Sequence, residues 1–348
     1  MTTCTIYYPG LLGPDVPLQE LPRSEWPAAG QLTRLAQLLS HAHAQPLRRC
    51  SVEARMLYGL GIGFSAEHDV PVAALRAVQM PDIRRDQALW CLDPVCVRID
   101  QDQAVLLGNE ILELSESEAR HLIEDLNAHF AQDGLRIHYL SPVQWLLEGH
   151  FDLTTHTHYD ALLDNVNSYQ PRGPDAARWR RLLNEVQMLL HSHEVNQNRE
   201  QRGEMPVNSV WLWGGGREYS YEKIVDVVYS DEPLVHEVAL VCDIPHYAMP
   251  DDVHDSVSHA MHTQFVLMEQ VRAIKGMDVF AWLDHLARFE QLMLAPLFAG
   301  LQDNTLKTLT VYSDTLSLTL TKKQLNRWWR RKKSIDKSLL QLRDTYGV

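Results

Sequence analysis

The sequence predicts an α/β fold: a core sheet with flanking helices that carries an α+β insertion or cap. Three observations point there. The β-prone run 3–8 feeds directly into Pro9-Gly10-Leu11-Leu12-Gly13-Pro14, a strand followed by a Gly/Pro turn, as many α/β domains begin. A second β-prone stretch, 306–320, lies near the other end of the chain, with amphipathic helices between the two. Residues 85–150 keep their own alternation of strand, helix and strand, a self-contained α+β pattern. The chain therefore divides into 1–84 (first part of the core), 85–172 (insertion or cap with its connecting loop), 173–321 (a central motif and the rest of the core) and 322–348 (a basic tail).

The early elements follow from spacing. Leu32, Leu35, Leu38 and Leu39 share one face of a helix over 31–41; His41-x-His43 at its end reads as a solvated terminus rather than a metal pair. Helices follow over 51–60, with Ser51 as N-cap, and over 70–78. Gly59-Leu60-Gly61-Ile62-Gly63 follows no strand, so it reads as a helix stop and not a nucleotide loop. Strands over 88–99 and 104–107 pair across a polar turn, with Cys91 and Cys96 as packing residues. Ser115-Glu116-Ser117-Glu118 is a capping box that opens a helix to Phe130, burying Ala119, Leu122, Ile123 and Leu126. Strands over 135–140 and 143–147 complete the block, and 151–172 is a connecting loop or an ordered loop over a site.

The stretch Leu182–Glu218 concentrates the chemistry. Gly173-Pro174-Asp175 starts a helix marked by Trp179, Leu182, Leu183, Val186, Leu189 and Leu190, an apolar set at three- and four-residue spacing. After His191-x-His193 come Asn196, Arg199 and Arg202, then Gly203 as a helix stop and Pro206. A strand over 207–213 ends in Gly214-Gly215-Gly216. Arg199 and Arg202 are candidates to grip a phosphate or carboxylate, because guanidinium forks match such anions. Asn196 and Asn208 can fix an elbow or donate to a ligand, Trp211 and Trp213 can form an apolar wall, and the glycines leave bare backbone for an anion. The same Asn/Arg set can equally brace an unusual turn, since buried polar groups must find partners.

This stretch resembles the segment HPVNxxRxxxGxxPxNxxWxWGxG of the archaeal-type, cofactor-independent phosphoglycerate mutases of the alkaline phosphatase superfamily. The resemblance rests on His193, Val195, Asn196, Arg199, Gly203, Pro206, Asn208, Trp211, Trp213, Gly214 and Gly216. The chain is more similar still, nearly end to end, to a proteobacterial branch of RpfE-type regulatory proteins. The resemblance implies an alkaline-phosphatase-like core sheet and, in competent enzymes, a two-metal centre. There the first strand ends in a metal-binding aspartate, and a late strand leads into an Asp-His pair with a further histidine downstream. Here Pro9-Gly10 stands at the first place, with Asp15 in the wrong local pattern; Asp314-Thr315 stands at the second, and no histidine follows His285. Metal-centred phosphoryl transfer is therefore expected to be lost, with no cofactor and no catalytic residue assigned.

The remaining elements are a strand over 221–229, a helix over 233–240, a helix over 257–274, a second long helix over 279–301 and a hairpin over 306–320. Asp284 and Glu290 on the long helix face either a cleft or water. His254, Asp255, His259 and His262 are the ligands to suspect if the chain is after all a Mn- or Zn-dependent enzyme with relocated ligands; otherwise they mark an exposed acidic segment leading into a helix. In the tail, Arg327, Trp328, Trp329, Arg330 and Arg331 suit a protein partner, and less well nucleic acid or a membrane; packing on the body is the plain alternative.

Composition sets the outer bounds. A chain of 348 residues with 45% hydrophobic content supports a sizeable core, and a formal charge of −13 argues against nucleic-acid binding by the whole surface. Five cysteines without a CxxC pair suit reduced thiols. No apolar run approaches the roughly 20 residues of a membrane span, and the first residues lack the pattern of a signal peptide, so a cytoplasmic protein is expected. The leading functional reading is a catalytically degenerate mutase-like protein that binds or regulates, with an anionic small molecule as its candidate ligand. An active phosphoglycerate mutase and a purely structural interaction protein are the alternatives.

Overall fold

The computed structural model describes residues 2–14, 16, 31–83, 87–100, 103–109, 111–250, 253–258, 260–326 and 334–346, without the side chains of 254, 255 and 258. The chain forms two compact units, one from Met1–Gly61 with Glu222–Val348 and one from Ile62–Tyr221.

The first unit is built on a seven-stranded sheet among the described residues. Its order is His246–Tyr247, Val227–Tyr229, His262–Val266, Thr3–Tyr7, Thr308–Tyr312, Leu316–Thr321 and His43–Pro46. The first five strands run parallel, Leu316–Thr321 runs antiparallel to them, and His43–Pro46 pairs antiparallel with Leu316–Thr321 and so runs with the first five. Thr3–Tyr7 is central, with His262–Val266 on one side and Thr308–Tyr312 on the other. The long helical stretch expected over 279–301 forms as Val279–Arg288, a π turn Phe289–Leu294, and Ala295–Asp303. It buries Trp282, Leu286, Phe289, Leu297 and Leu301 in one core with Leu35, Leu38, Leu309 and Leu318. Glu290 faces neither cleft nor water. Its carboxylate accepts from Arg34 N at 2.9 Å and Leu35 N at 2.7 Å, so it caps the helix Thr33–His41, whose N-cap Leu32 has no side chain able to do so. Asp284 is exposed.

Two expectations fail here. The helix expected over 257–274 is instead a short helix Val253–Ser258, the strand His262–Val266 and a short helix Val271–Lys275. A parallel strand flanked on both edges is buried on both faces, so it shows no alternation to separate it from a helix. The strand expected over 221–229 is two strands in two sheets: Ser220–Tyr221 pairs with Ile62–Gly63, and Val227–Tyr229 joins the main sheet.

The second unit is wider than the 85–172 block expected from sequence, and it contains the central motif. Its organising strand is Leu89–Asp100, long enough for three antiparallel partners. Leu89–Cys91 pair with Gln144–Glu148, Cys91–Val95 pair with Ser209–Trp213, and beyond a register shift at Cys96/Val97 the strand pairs with Gln103–Gly108. Arg136–Ser141 adds to the outer edge. The helices Glu116–Phe130 and Ala176–Ser192 bury Leu122, Leu126, Phe130, Trp179, Leu182 and Val186 in the core of this unit. Segment 151–172 is ordered. Leu163 N and the Leu106 carbonyl pair at 2.8 Å, and Thr154 and Arg172 exchange backbone hydrogen bonds of 2.7 and 3.0 Å. Cys91 and Cys96 are buried, and all five cysteines are free.

Candidate functional site

Two places carry the sequence-derived candidates: the central motif in the second unit, and the C-terminal edge of the parallel sheet in the first.

In the motif, the helix Ala176–Ser192 gives way at His193 to a second helix, Glu194–Arg202, which closes at Gly203 in the left-handed conformation (φ 75°). His193 is the N-cap of the second helix, its Nδ1 accepting from Val195 N at 3.1 Å. Asn196 is buried beside this corner. Its Nδ2 donates to the Leu190 and Val207 carbonyls, both at 2.7 Å, and its Oδ1 accepts from Val207 N at 2.9 Å. One side chain thereby joins the end of one helix to the approach of the motif strand, using both amide donors and the acceptor.

Arg199 is 1% exposed, and each of its three nitrogens is engaged. Nε donates to the Met205 carbonyl at 2.9 Å, Nη2 to the Leu112 carbonyl, and Nη1 to Glu118 Oε2 at 3.1 Å, with Glu204 Oε2 at 3.4 Å. Arg202 lies half exposed between the same two acids, 2.6 Å from Glu118 Oε1 and 2.8 Å from Glu204 Oε2. Burial pushes the Glu118 carboxyl up, but hydrogen bonds from Ser115 and the charges of Arg202 and Arg199 outweigh it and hold the group down at about 2. Glu118 was recognisable in sequence as a capping-box residue, and it is one. Its second role, as counter-ion to two arginines more than eighty positions away, has no local signal.

The strand side chains are likewise engaged. Asn208 holds both backbone groups of Val97, each at 2.8 Å, just past the point where the Leu89–Asp100 strand shifts register. Trp211 Nε1 donates to the His156 carbonyl at 3.0 Å. Trp213 Nε1 donates to Asp93 Oδ2 at 2.9 Å. That carboxylate is buried and bidentate with buried Arg76 at 2.6 and 3.2 Å, and the Arg76 guanidinium lies 5.2 Å from the Trp213 ring centroid. Sequence reading missed this pair because Arg76 and Asp93 lie on a short helix and a strand with no shared motif. The glycine turn is packed, not open. Gly214 has φ 69°, a Cβ on Gly215 would fall 2.4 Å from Trp90, and one on Gly216 would fall 2.0 Å from the Asp69 carbonyl oxygen. Ala73 N donates to the Gly214 carbonyl at 3.0 Å, and Gly216 N to the Val70 carbonyl at 3.3 Å.

In the first unit, the chain leaves the central strand through Tyr8-Pro9-Gly10. Pro9 O accepts from Gln270 Nε2 at 2.9 Å and Gly10 O from Trp282 Nε1 at 3.1 Å. Gly10 N donates to Asp314 Oδ2 at 2.6 Å. Gly10 has φ 72°, and a Cβ there would meet Ile274 Cγ1 at 2.4 Å. Burial raises the Asp314 carboxyl above its ordinary value, against hydrogen bonds from Gly10 N and its own amide and against Lys275 and Arg55. Farther along the loop, Arg343 from the helix Ile335–Tyr346 donates to the Leu12 carbonyl at 2.9 Å, the Val16 carbonyl at 3.1 Å and the Pro14 carbonyl.

Of the alternative ligands, His262 sits at the opposite edge. It pairs in register with Thr3, at the start of the parallel strands rather than at their C-terminal ends. Its Nδ1 lies 3.0 Å from the Ile224 carbonyl and its Nε2 2.8 Å from Thr5 Oγ1. Residue 259 and the His254 and Asp255 side chains lie outside the described residues, as do Asp15 and the whole candidate partner-binding run Arg327, Trp328, Trp329, Arg330 and Arg331. No described helix is long and apolar enough to cross a membrane.

No protein-family model matches the chain. Several curated proteins do, and they are 2,3-bisphosphoglycerate-independent phosphoglycerate mutases. The enzyme of Methanosarcina mazei is 24% identical over 170 residues, which covers 47% of this chain and 43% of that protein. That of Methanosarcina acetivorans is 27% identical over 139 residues, 39% of this chain and 35% of the relative. Phosphoglycerate mutase 2 of Methanothermobacter thermautotrophicus is 31% identical over 97 residues, 28% of this chain and 24% of the relative. The chain thus spans less than half the length of these relatives. Among solved structures, the PH0037 protein from Pyrococcus horikoshii superposes with a TM-score of 0.54 over 92% of this chain and 87% of that chain, at 11% identity, a likeness of fold alone. A cofactor-independent phosphoglycerate mutase from Thermoplasma acidophilum aligns with a TM-score of 0.43 at 14% identity, too low to bear on the fold. The chain is therefore a mixed α/β protein similar, at low identity and over part of its length, to cofactor-independent phosphoglycerate mutases.

Proposed function

We propose that this is a catalytically degenerate phosphoglycerate-mutase-like protein whose role is binding or regulation, in keeping with its resemblance to the RpfE-type branch. The observation that carries the reading is the end of the central strand. Where the resemblance implies a metal-binding aspartate, Pro9-Gly10 offers no side-chain ligand, and the backbone N–H of Gly10 occupies an oxygen of Asp314. Gly10 also has no room for a side chain. The described residues at this edge do not suit a pair of metal ions, which needs several anionic and imidazole ligands converging from different strand ends. His262, the described member of the relocated-ligand set, is at the wrong end of its strand, about five residues of roughly 3.3 Å rise away.

The motif supports the same reading. Its arginines and asparagines are engaged with Glu118, Glu204 and backbone carbonyls, so we assign them to bracing the second unit rather than to holding an anion. The five free cysteines fit a reducing compartment, and we place the protein in the cytoplasm. The test is an assay for interconversion of 3- and 2-phosphoglycerate with Mn2+, Co2+ or Zn2+ supplied in turn. The reading expects no turnover above the uncatalysed background. Metal-dependent turnover that disappears in Asp314→Asn would establish the enzyme reading in its place.

A further inference from the structure

The corner that Asn196 fixes does more than turn the chain. It presents His193 to the helix Glu116–Phe130, on which His121 and Asp125 stand one turn apart on one face. One ligand atom from each of His121, Asp125 and His193 lies within 4.8 Å of the other two, the one such group of histidine, cysteine and carboxylate side chains among the described residues. The individual separations are 3.0 Å between His193 Nε2 and Asp125 Oδ2, and 3.9 Å between His121 Nε2 and the same oxygen. Donors around a tetrahedral zinc ion, with bonds near 2.0–2.1 Å, stand about 3.3 Å apart. The group is therefore already close to the spacing that an ion requires.

The surroundings agree. Glu194 Oε1 lies 3.4 Å from His121 Nδ1, the outer-shell carboxylate that fixes a ligating imidazole with its other nitrogen free. If the His121 proton is on Nδ1, toward Glu194, then Nε2 is an unprotonated nitrogen 3.9 Å from Asp125 Oδ2, the same oxygen that lies 3.0 Å from His193 Nε2. The group borders a cavity of about 370 Å³, which leaves space for a fourth, exchangeable ligand. His193 is 7% exposed at its side chain, His121 40% and Asp125 56%, so the ligands are anchored on the protein side and open on the other.

We propose that His121, Asp125 and His193 bind a single Zn2+ ion, with Glu194 orienting His121 and the fourth position open to the cavity. The ion ties the capping-box helix to the corner between the two motif helices. Coordination through Nε2 of His193 moves the proton of that ring to Nδ1, where it would oppose the Val195 N–H, so the ring turns away from its capping position on metal binding. This site is separate from the strand-end position discussed above and does not depend on the proposed function.

The test is titration of the full chain, stripped with chelator, by ZnCl2 in a calorimeter, with the Co2+ spectrum as a second readout. We expect one equivalent bound, and Co2+ bands without a thiolate charge-transfer feature. His121→Ala and Asp125→Asn lose more affinity than the roughly 10–100-fold cost of removing an outer-shell partner, which is the loss expected for Glu194→Gln. His193→Asn removes the ligand but keeps a good N-cap, so it separates lost coordination from lost folding. His191→Ala, on the neighbouring exposed histidine, leaves binding unchanged. Absence of stoichiometric binding, binding indifferent to His121→Ala and Asp125→Asn, or a thiolate band would each overturn the proposal.

Discussion

At the scale of single residues, Asn196, Arg199 and Asn208 each meet partners that the second unit itself supplies. Asn196 satisfies three backbone groups, so Asn196→Ala strands the Val207 N–H and carbonyl in a buried corner, while the Leu190 carbonyl keeps the His193 N–H. The expected cost is on the order of 3 kcal/mol in chemical denaturation, against a fraction of that for an exposed asparagine. Asp93 and Arg76 make a buried pair, and removing the carboxylate takes away the bidentate partner of a buried guanidinium. Asp93→Ala should therefore cost about 3–5 kcal/mol, and a double replacement of both residues by apolar groups should recover much of it. A double change no better than the single one would mean that Asp93 matters chiefly through Trp213 Nε1. These residues also mark where reading a sequence stops. Asn196, Arg199 and Asn208 stand out as polar residues in a motif, but their partners (Leu112 O, Glu118, Val97) are supplied by the fold. Without them, bracing and ligand binding look the same.

At the scale of elements, periodicity and capping told most of the story. The capping box at Ser115, the N-cap at Ser51, the left-handed stop at Gly203 and the late hairpin all form where the sequence places them. The strand His262–Val266 did not announce itself, because burial on both faces erases the alternation that identifies a strand. The link between the helix Glu116–Phe130 and the helix Glu194–Arg202 runs through Glu118, and it carries a pH signature. Its carboxyl is depressed from an ordinary 4.5 to about 2, so its contribution is complete above pH 4.5 and is lost as pH falls toward 2. Glu118→Gln should flatten the acid limb of the stability profile over that window while also lowering stability at neutral pH. An unchanged acid limb would show that Arg199 and Arg202 find other counter-ions.

At the scale of the molecule, a parallel-centred sheet and an inserted antiparallel unit are built by different parts of one chain. The α/β class with an α+β insertion was legible from the order of elements. The extent of the insertion was not, since the strand pairs Ile62–Gly63 and Ser220–Tyr221 that close it are two residues each. In the function proposed here, a motif similar to one in phosphoglycerate mutases braces the fold of the second unit. Thermal unfolding of the full chain, with and without millimolar 3-phosphoglycerate, tests this most directly. A ligand at about 100 times its Kd stabilises a protein by roughly 2.7 kcal/mol, a shift easily seen. No shift is expected. A saturable rise in melting temperature that vanishes in Arg202→Gln, with the fold of that variant intact, would contradict that role.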